Sequence, residues 1–90
     1  MLTEMESKRL NNLANGFNNI ENRKALMREF GHSETAFCGM NVDGEAILIS
    51  IKPDSIVVKT NQSNGWVRVN YYDELGNQEG EAYEGRHRDY

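Results

Sequence analysis

The chain has 90 residues, 38% of them hydrophobic and 27% charged, with a formal net charge of -4. That length supports one hydrophobic core with a narrow stability margin and leaves no room for two, so residues 1–90 are expected to form a single domain, and the charge balance argues against nonspecific duplex binding through a dominant basic patch. Cys38 is the only cysteine, which excludes an intramolecular disulfide, and no apolar run has the length of a leader core or a membrane span, so a cytoplasmic protein with no membrane association is expected.

The first third has a helical pattern. Thr3 and Glu6 have the spacing of a capping box, with Leu2 available as a hydrophobic staple, so a first helix begins near Glu4. Leu10, Leu13, Ala14 and Phe17 follow helical spacing on one face, and Gly16 stands where a left-handed C-cap would end this helix near Asn15. Asn18 and Asn19 are N-cap residues for a second helix with apolar positions Ile20, Leu26, Met27 and Phe30 and a stop at Gly31. One helix from Glu4 to Phe30 keeps the same rhythm, but Gly16 among several asparagines disfavours it, because both residue types are poor in a helix interior. The helical part covers residues 3–31.

From Thr35 the apolar period changes to two, and turn signals recur at Asp43-Gly44, Pro53-Asp54, Asn64-Gly65 and Gly76-Asn77. This is the pattern of an antiparallel β-meander of four to five strands over residues 35–88. A two-residue loop at Asp43-Gly44 pairs Met40 with Ile47, Cys38 with Ile49 and Ala36 with Ile51. Turning at Pro53-Asp54 sets Ile51 against Ile56, Ile49 against Val58 and Ile47 against Thr60. A tight turn within Gln62 to Gly65 sets Thr60 against Val67, Val58 against Val69 and Ile56 against Tyr71. The last hairpin stays open: a two-residue loop pairs Val69 with Ala82, whereas a three-residue loop brings Tyr83 to the core face. Gln78 to Arg88 reads as a polar edge strand, with Asp89 and Tyr90 at its frayed end.

These registers place Ala36, Cys38, Met40, Ile47, Ile49, Ile51, Ile56, Val58, Val67, Val69 and Tyr71 on one face, covered by the helical stripe of Leu10, Leu13, Phe17, Leu26, Met27 and Phe30. The expected fold is α+β, with two N-terminal helices packed on one face of the meander.

The opposite face is the expected working surface. Leu48, Lys59, Arg68 and Tyr83 form a row across it, flanked by Phe37, Val57, Trp66, Asn70 and Tyr72. Lys59 and Arg68 would lie directly opposite each other, a repulsive pair unless an anion or a carboxylate such as Glu81 intervenes. Lys59, Trp66, Arg68, Tyr72 and Tyr83 are therefore candidate binding residues, for a protein partner or for single-stranded nucleic acid or a small anionic ligand. The competing account is local packing of Trp66 and Tyr72 at strand ends with solvated cations. Asp73, Glu74, Glu79, Glu81 and Glu84 form a candidate acidic interaction surface around the final hairpin, although carboxylates there also keep an edge soluble. Phe37, Leu48, Val57 and Trp66 are a candidate apolar patch for a homodimer.

Catalytic signals are thin. Cys38 falls on the expected core face, where a thiol behaves as a small hydrophobe. His32 suits a cap or loop after the second helix, and His87 lies near a terminus; two histidines so far apart carry no metal-ligand spacing. No Gly-rich loop joins a strand to a helix, so no nucleotide cofactor is implied. The expectation is a non-enzymatic module, without cofactor or metal, acting through protein–protein interaction. In profile it matches small acidic inhibitors or adaptors of the phage and mobile-element kind, and a homo-oligomeric structural protein is the remaining alternative.

Overall fold

The computed structural model describes residues 2–86. The expected strand positions His87 and Arg88, and the expected frayed residues Asp89 and Tyr90, lie outside them. Two helices, α1 (Glu4–Asn15) and α2 (Ile20–Phe30), precede five strands: β1 (Ala36–Met40), β2 (Ala46–Ile51), β3 (Ile56–Asn61), β4 (Trp66–Tyr72) and β5 (Tyr83–Arg86). The strands form one antiparallel sheet in the order β1-β2-β3-β4-β5, so the fold is the expected α+β arrangement with the helices N-terminal to the meander.

Capping decides where the helices start. The Thr3 hydroxyl accepts from the Glu6 amide at 3.1 Å and the Glu6 carboxylate accepts from the Thr3 amide at 3.0 Å, which closes a capping box. Asn19 Oδ1 accepts from the Glu21 amide at 2.8 Å and begins α2, so residues 4–30 form two helices. Gly16 is not left-handed as expected, since its φ is -98°. It is suited to its position by space instead: a Cβ there would collide with the Asn22 amide group, which donates to the Gly16 carbonyl at 2.9 Å. α2 then folds back beside α1, and Arg9 grips Glu29 through two bonds of 3.0 and 2.9 Å.

The β2–β3 register is the expected one, with Ile51 opposite Ile56, Ile49 opposite Val58 and Ile47 opposite Thr60. The two neighbouring registers differ from expectation by one residue. Phe37 lies opposite Ile49 and Gly39 opposite Ile47, while Val58 lies opposite Asn70 and Ile56 opposite Tyr72. The reason is turn type. At Asn41–Glu45, Gln62–Trp66 and Asp73–Asn77 the fourth residue donates back to the first, the first residue donates to the fifth, and the fourth is a glycine, Gly44, Gly65 or Gly76, at φ of 78, 84 and 82°. Each is a three-residue loop with a left-handed glycine bulge; at the first two the dipeptides alone suggest two-residue turns, and at the third, which the sequence leaves open, the three-residue loop is the one formed.

A one-residue slip exchanges faces. Ala36, Cys38, Met40, Val67, Val69 and Tyr71 therefore point away from the helices, correcting the expected core. Cys38 is exposed, not buried. The helix-side core consists of Leu10, Leu13, Ala14, Ala25, Leu26, Met27 and Phe30 against Ile49, Ile51, Ile56 and Val58, with Leu2, Phe17, Phe37, Ile47 and Tyr72 packed around it. Val67 and Val69 remain buried on the far face, at 3% and 0% exposure, apart from the helix-side cluster.

Two contacts fix α2 across one end of the sheet. At its C-terminus Gly31 lies so close to the β2–β3 turn that a Cβ would stand 2.7 Å from Pro53 N and Cα. At its N-terminus Arg23 Nε donates to the Gly76 carbonyl in the β4–β5 turn at 2.7 Å, and Arg23 Nη1 donates to the Phe17 carbonyl at 2.9 Å. The same guanidinium lies 4.8 Å from the Tyr72 ring centroid. The opposite end of the sheet, which carries the β1–β2 and β3–β4 turns, is not reached by α2 on the helix side.

Candidate functional site

That end forms a cleft of ≈ 510 Å³. The end of α1 and the interhelix turn overhang it at Ala14, Phe17 and Asn18, the β1–β2 hairpin walls it at Phe37 and Asn41 to Asp43, and Ile47, Val58, Thr60, Arg68 and Asn70 make its floor. Its size is that of a site for a small molecule or a few side chains.

Local sequence explains each wall. Asn41 Oδ1 accepts from the Asp43 and Glu45 amides at 3.0 and 2.9 Å, and Asn41 Nδ2 donates to Glu45 Oε1 at 3.0 Å, which holds the hairpin tip rigid through one side chain. Val42, at that tip, is fully exposed. Phe17 stands edge-on to Tyr72, with centroids 5.1 Å apart and planes at 86°, and Arg23 backs both rings. Burial pushes the Tyr72 hydroxyl above the ordinary tyrosine pKa, with Arg23 opposing part of that rise. On the floor, the alternation of β3 and β4 turns Thr60 and Asn70 into the cleft, and their side chains make no hydrogen bond to another described residue. A hydroxyl and an amide on a partly apolar surface offer donors and acceptors that an incoming polar group can complete.

The expected binding residues do not share a face. Antiparallel pairing carries one row through Cys38, Leu48, Lys59, Val69 and Tyr83, and the neighbouring row through Phe37, Ile49, Val58 and Asn70. Lys59 and Tyr83 thus lie on the far face, whereas Trp66, Arg68 and Tyr72 lie on the helix side. Lys59 is opposite Val69, and Arg68 is opposite Thr60 and Glu84. The carboxylate that compensates Arg68 is Glu84, which accepts from Arg68 Nε at 3.0 Å, rather than Glu81; Gln62 Oε1 accepts from Arg68 Nη2 at 3.2 Å. The expected dimer patch is divided likewise, with Phe37 and Trp66 on the helix side and Leu48 and Val57 on the other.

The acidic group is divided by role. Asp73 Oδ1 accepts from the Leu75 and Asn77 amides at 3.0 and 2.9 Å and so builds the β4–β5 turn. Glu84 is taken by Arg68, and Glu74, Glu79 and Glu81 are exposed. His32 sits exposed in the 3₁₀ turn Gly31–Ser33, and His87 lies outside the described residues. Among the described residues no three His, Cys, Asp or Glu side chains are grouped so as to hold a metal ion, and no helix is long and apolar enough to cross a membrane.

Arg23, Asn41 and Thr60 shape the cleft and were not marked as site residues by sequence pattern, which did set Asn70 beside the expected binding row. For Asn41 the signal was available, because an Asx residue three before a glycine is the mark of a type I turn closing on a left-handed position. For Arg23 none was, since its partners Phe17, Tyr72 and Gly76 are brought together only by the tertiary fold. Comparison with protein-family models, with curated proteins and with solved structures finds no match to this chain.

Proposed function

We propose that the protein is a non-enzymatic binding module that recognises a segment of a protein partner in the helix-side cleft. The observation that carries this reading is the juxtaposition, in one cleft, of a half-buried aromatic wall at Phe17, Phe37 and Tyr72 with the Thr60 and Asn70 side chains on its floor. Such a site takes an apolar anchor and completes its polar groups, the pattern of interface hot spots. Its rim carries Asp43 and Glu45, while Arg68 is compensated by Glu84, so a segment with an apolar anchor flanked by lysine or arginine is the complementary ligand. A nucleic-acid or anionic ligand draws less support, because Lys59 and Arg68 face opposite sides. The acidic hairpin draws less as well, since Asp73 and Glu84 are engaged by the chain's own donors. A free thiol at Cys38 requires no oxidising compartment, which supports a cytoplasmic setting for an inhibitor or adaptor of this kind.

The test is selection of displayed random peptides on the immobilised protein, followed by amide-shift mapping of the selected peptides. Peptides enriched in an apolar residue beside a basic one are expected, with shifts concentrated at Phe17, Asn41 to Glu45, Thr60 and Asn70. Asn70→Ala should weaken them at least tenfold, and Lys59→Ala should leave them unchanged. Failure to select peptides, or shifts centred on the far face, would overturn the reading.

A further inference from the structure

The two edges of the sheet are built differently. β5 is short, carries Glu84 and Arg86, and is preceded by a bulge in which Gly80, Glu81 and Ala82 lie opposite Asn70 alone. Charges and bulges of this kind keep an edge from pairing. β1 has neither: it reads Ala-Phe-Cys-Gly-Met, five uncharged residues without proline or bulge.

The direction of its backbone groups follows from two bonds. Ile51 N donates to Thr35 O at 2.8 Å, and Asn41 N donates to Glu45 O at 2.9 Å. Hydrogen-bonded pairs alternate along an antiparallel ladder, so Phe37 and Gly39 also bond inward to β2, and the amides and carbonyls of Ala36, Cys38 and Met40 point outward. The side chains of these three residues are exposed on the far face. Cys38, the central one of the three, lines a groove of ≈ 390 Å³ together with Ala46, Leu48, Lys59 and Val67 among others.

We propose that β1 is the interface of a twofold homodimer, pairing antiparallel with β1 of a second copy about an axis through Cys38. This alignment sets Ala36 opposite Met40 of the other copy and Cys38 opposite its equivalent. It forms three pairs that each exchange two hydrogen bonds, so every outward group of β1 in both copies is used. Shifting the axis to Phe37 or Gly39 leaves outward groups on β1 unpaired. A one-residue shift that mixes inward and outward residues cannot form the ladder. The strand is thus complementary to itself, the requirement of an isologous interface, and no charged residue of β1 meets a like charge. The two far-face grooves become continuous across the axis, with Met40 of each copy packed beside Ala36 of the other. Of the three interface residues only Met40 also borders the cleft, whose other lining residues lie on the helix side or at the hairpin tip.

The experiment is sedimentation velocity on the full chain in reducing buffer from low to high micromolar concentration. A dimer is expected. Cys38→Pro replaces the thiol and removes an outward N–H but no intramolecular backbone bond, a position edge strands tolerate, and should raise the dissociation constant at least tenfold while leaving the far-ultraviolet circular dichroism unchanged. Should that variant unfold, Ala36→Lys with Met40→Lys sets lysines opposite lysines across the axis and keeps every intramolecular backbone bond, with the same expected loss. Hydrogen-bonded antiparallel neighbours have Cα atoms about 5.5 Å apart, within disulfide range. Diamide should therefore oxidise Cys38 to a covalent dimer at least tenfold faster than a cysteine placed at exposed Val42 in a Cys38→Ser background. A monomer throughout the concentration range, a dimer that both edge variants leave intact, or equal trapping at the two positions would overturn the proposal.

Discussion

Gly31→Ala and Gly16→Ala test whether α2 is held by close backbone approach. Gly31 has φ -64° and ψ -39°, an ordinary helical conformation, so alanine would gain roughly 0.5–1 kcal/mol from the unfolded state if space allowed. Space does not allow it. The added Cβ would stand 2.7 Å from Pro53 N and Cα and 2.8 Å from Lys52 C, all backbone atoms of a turn that Lys52 N closes on Ser55 O at 2.9 Å. Overpacking of that kind costs about 1–3 kcal/mol, so a net loss of roughly 1–2 kcal/mol is expected. Gly16 is the control. Its added Cβ meets only the Asn22 side chain, which can rotate away at the loss of one bond worth about 1 kcal/mol, offset by a similar gain in the unfolded chain. Urea unfolding reads both: with a slope of about 1 kcal/mol/M, Gly31→Ala should lower the midpoint by roughly 1–2 M. Gly16→Ala should leave it within about 0.5 M of wild type. A neutral or stabilising Gly31→Ala with an unchanged slope would refute the close-approach argument, and with it the reason α2 leaves the far half of the sheet open.

Further outcomes follow from the same contacts. Arg23→Met removes the donors to Gly76 and Phe17 and should cost about 2–3 kcal/mol by chemical denaturation; where the packing survives, the Tyr72 phenol should titrate still higher by ultraviolet absorbance, because Arg23 is the group that lowers it. Tyr72→Ala should cost roughly 2–3 kcal/mol and Tyr71→Ala under about 1 kcal/mol, the reverse of the order expected from alternation alone. Glu29 is held below the ordinary carboxylate range first by its bond to Arg9. Its contribution is present above the unfolded glutamate pKa of about 4.3 and is lost as pH falls through the lower folded value. Arg9→Gln should flatten the acid limb of the stability profile, and added salt should shrink the difference because the pair is largely exposed.

The elements that sequence pattern located correctly are those set by local chemistry. Thr3 with Glu6 and Asn19 with Glu21 are short-range caps, and Pro53-Asp54 admits one simple turn, so both helices and the β2–β3 register were legible. Two other turns differ from expectation for a shared reason. Asp43-Gly44 and Asn64-Gly65 resemble two-residue hairpin loops, but each glycine is the fourth residue of a longer turn and supplies the bulge after it. The cleft was beyond reach of the pattern altogether, because it exists only where α2, pinned at Gly31 and Arg23, stops covering the sheet.

The error in β4 has a more general cause. Val67 and Val69 alternate with Trp66, Arg68 and Asn70, which indicates correctly that the valines are buried. Alternation reports that one side of a strand is dry, not which side of the sheet that is. Where helices cover one face and the other face holds its own apolar residues, the two assignments differ only by the length of a turn. A single residue in the Gln62 to Trp66 loop therefore decides whether Arg68 shares a face with Lys59 or with Glu84 and the cleft floor. With the bulge in place, the cationic surface expected from sequence disappears, and Arg68 instead becomes the compensated edge of a site whose recognition groups are Thr60, Asn70 and the aromatic wall.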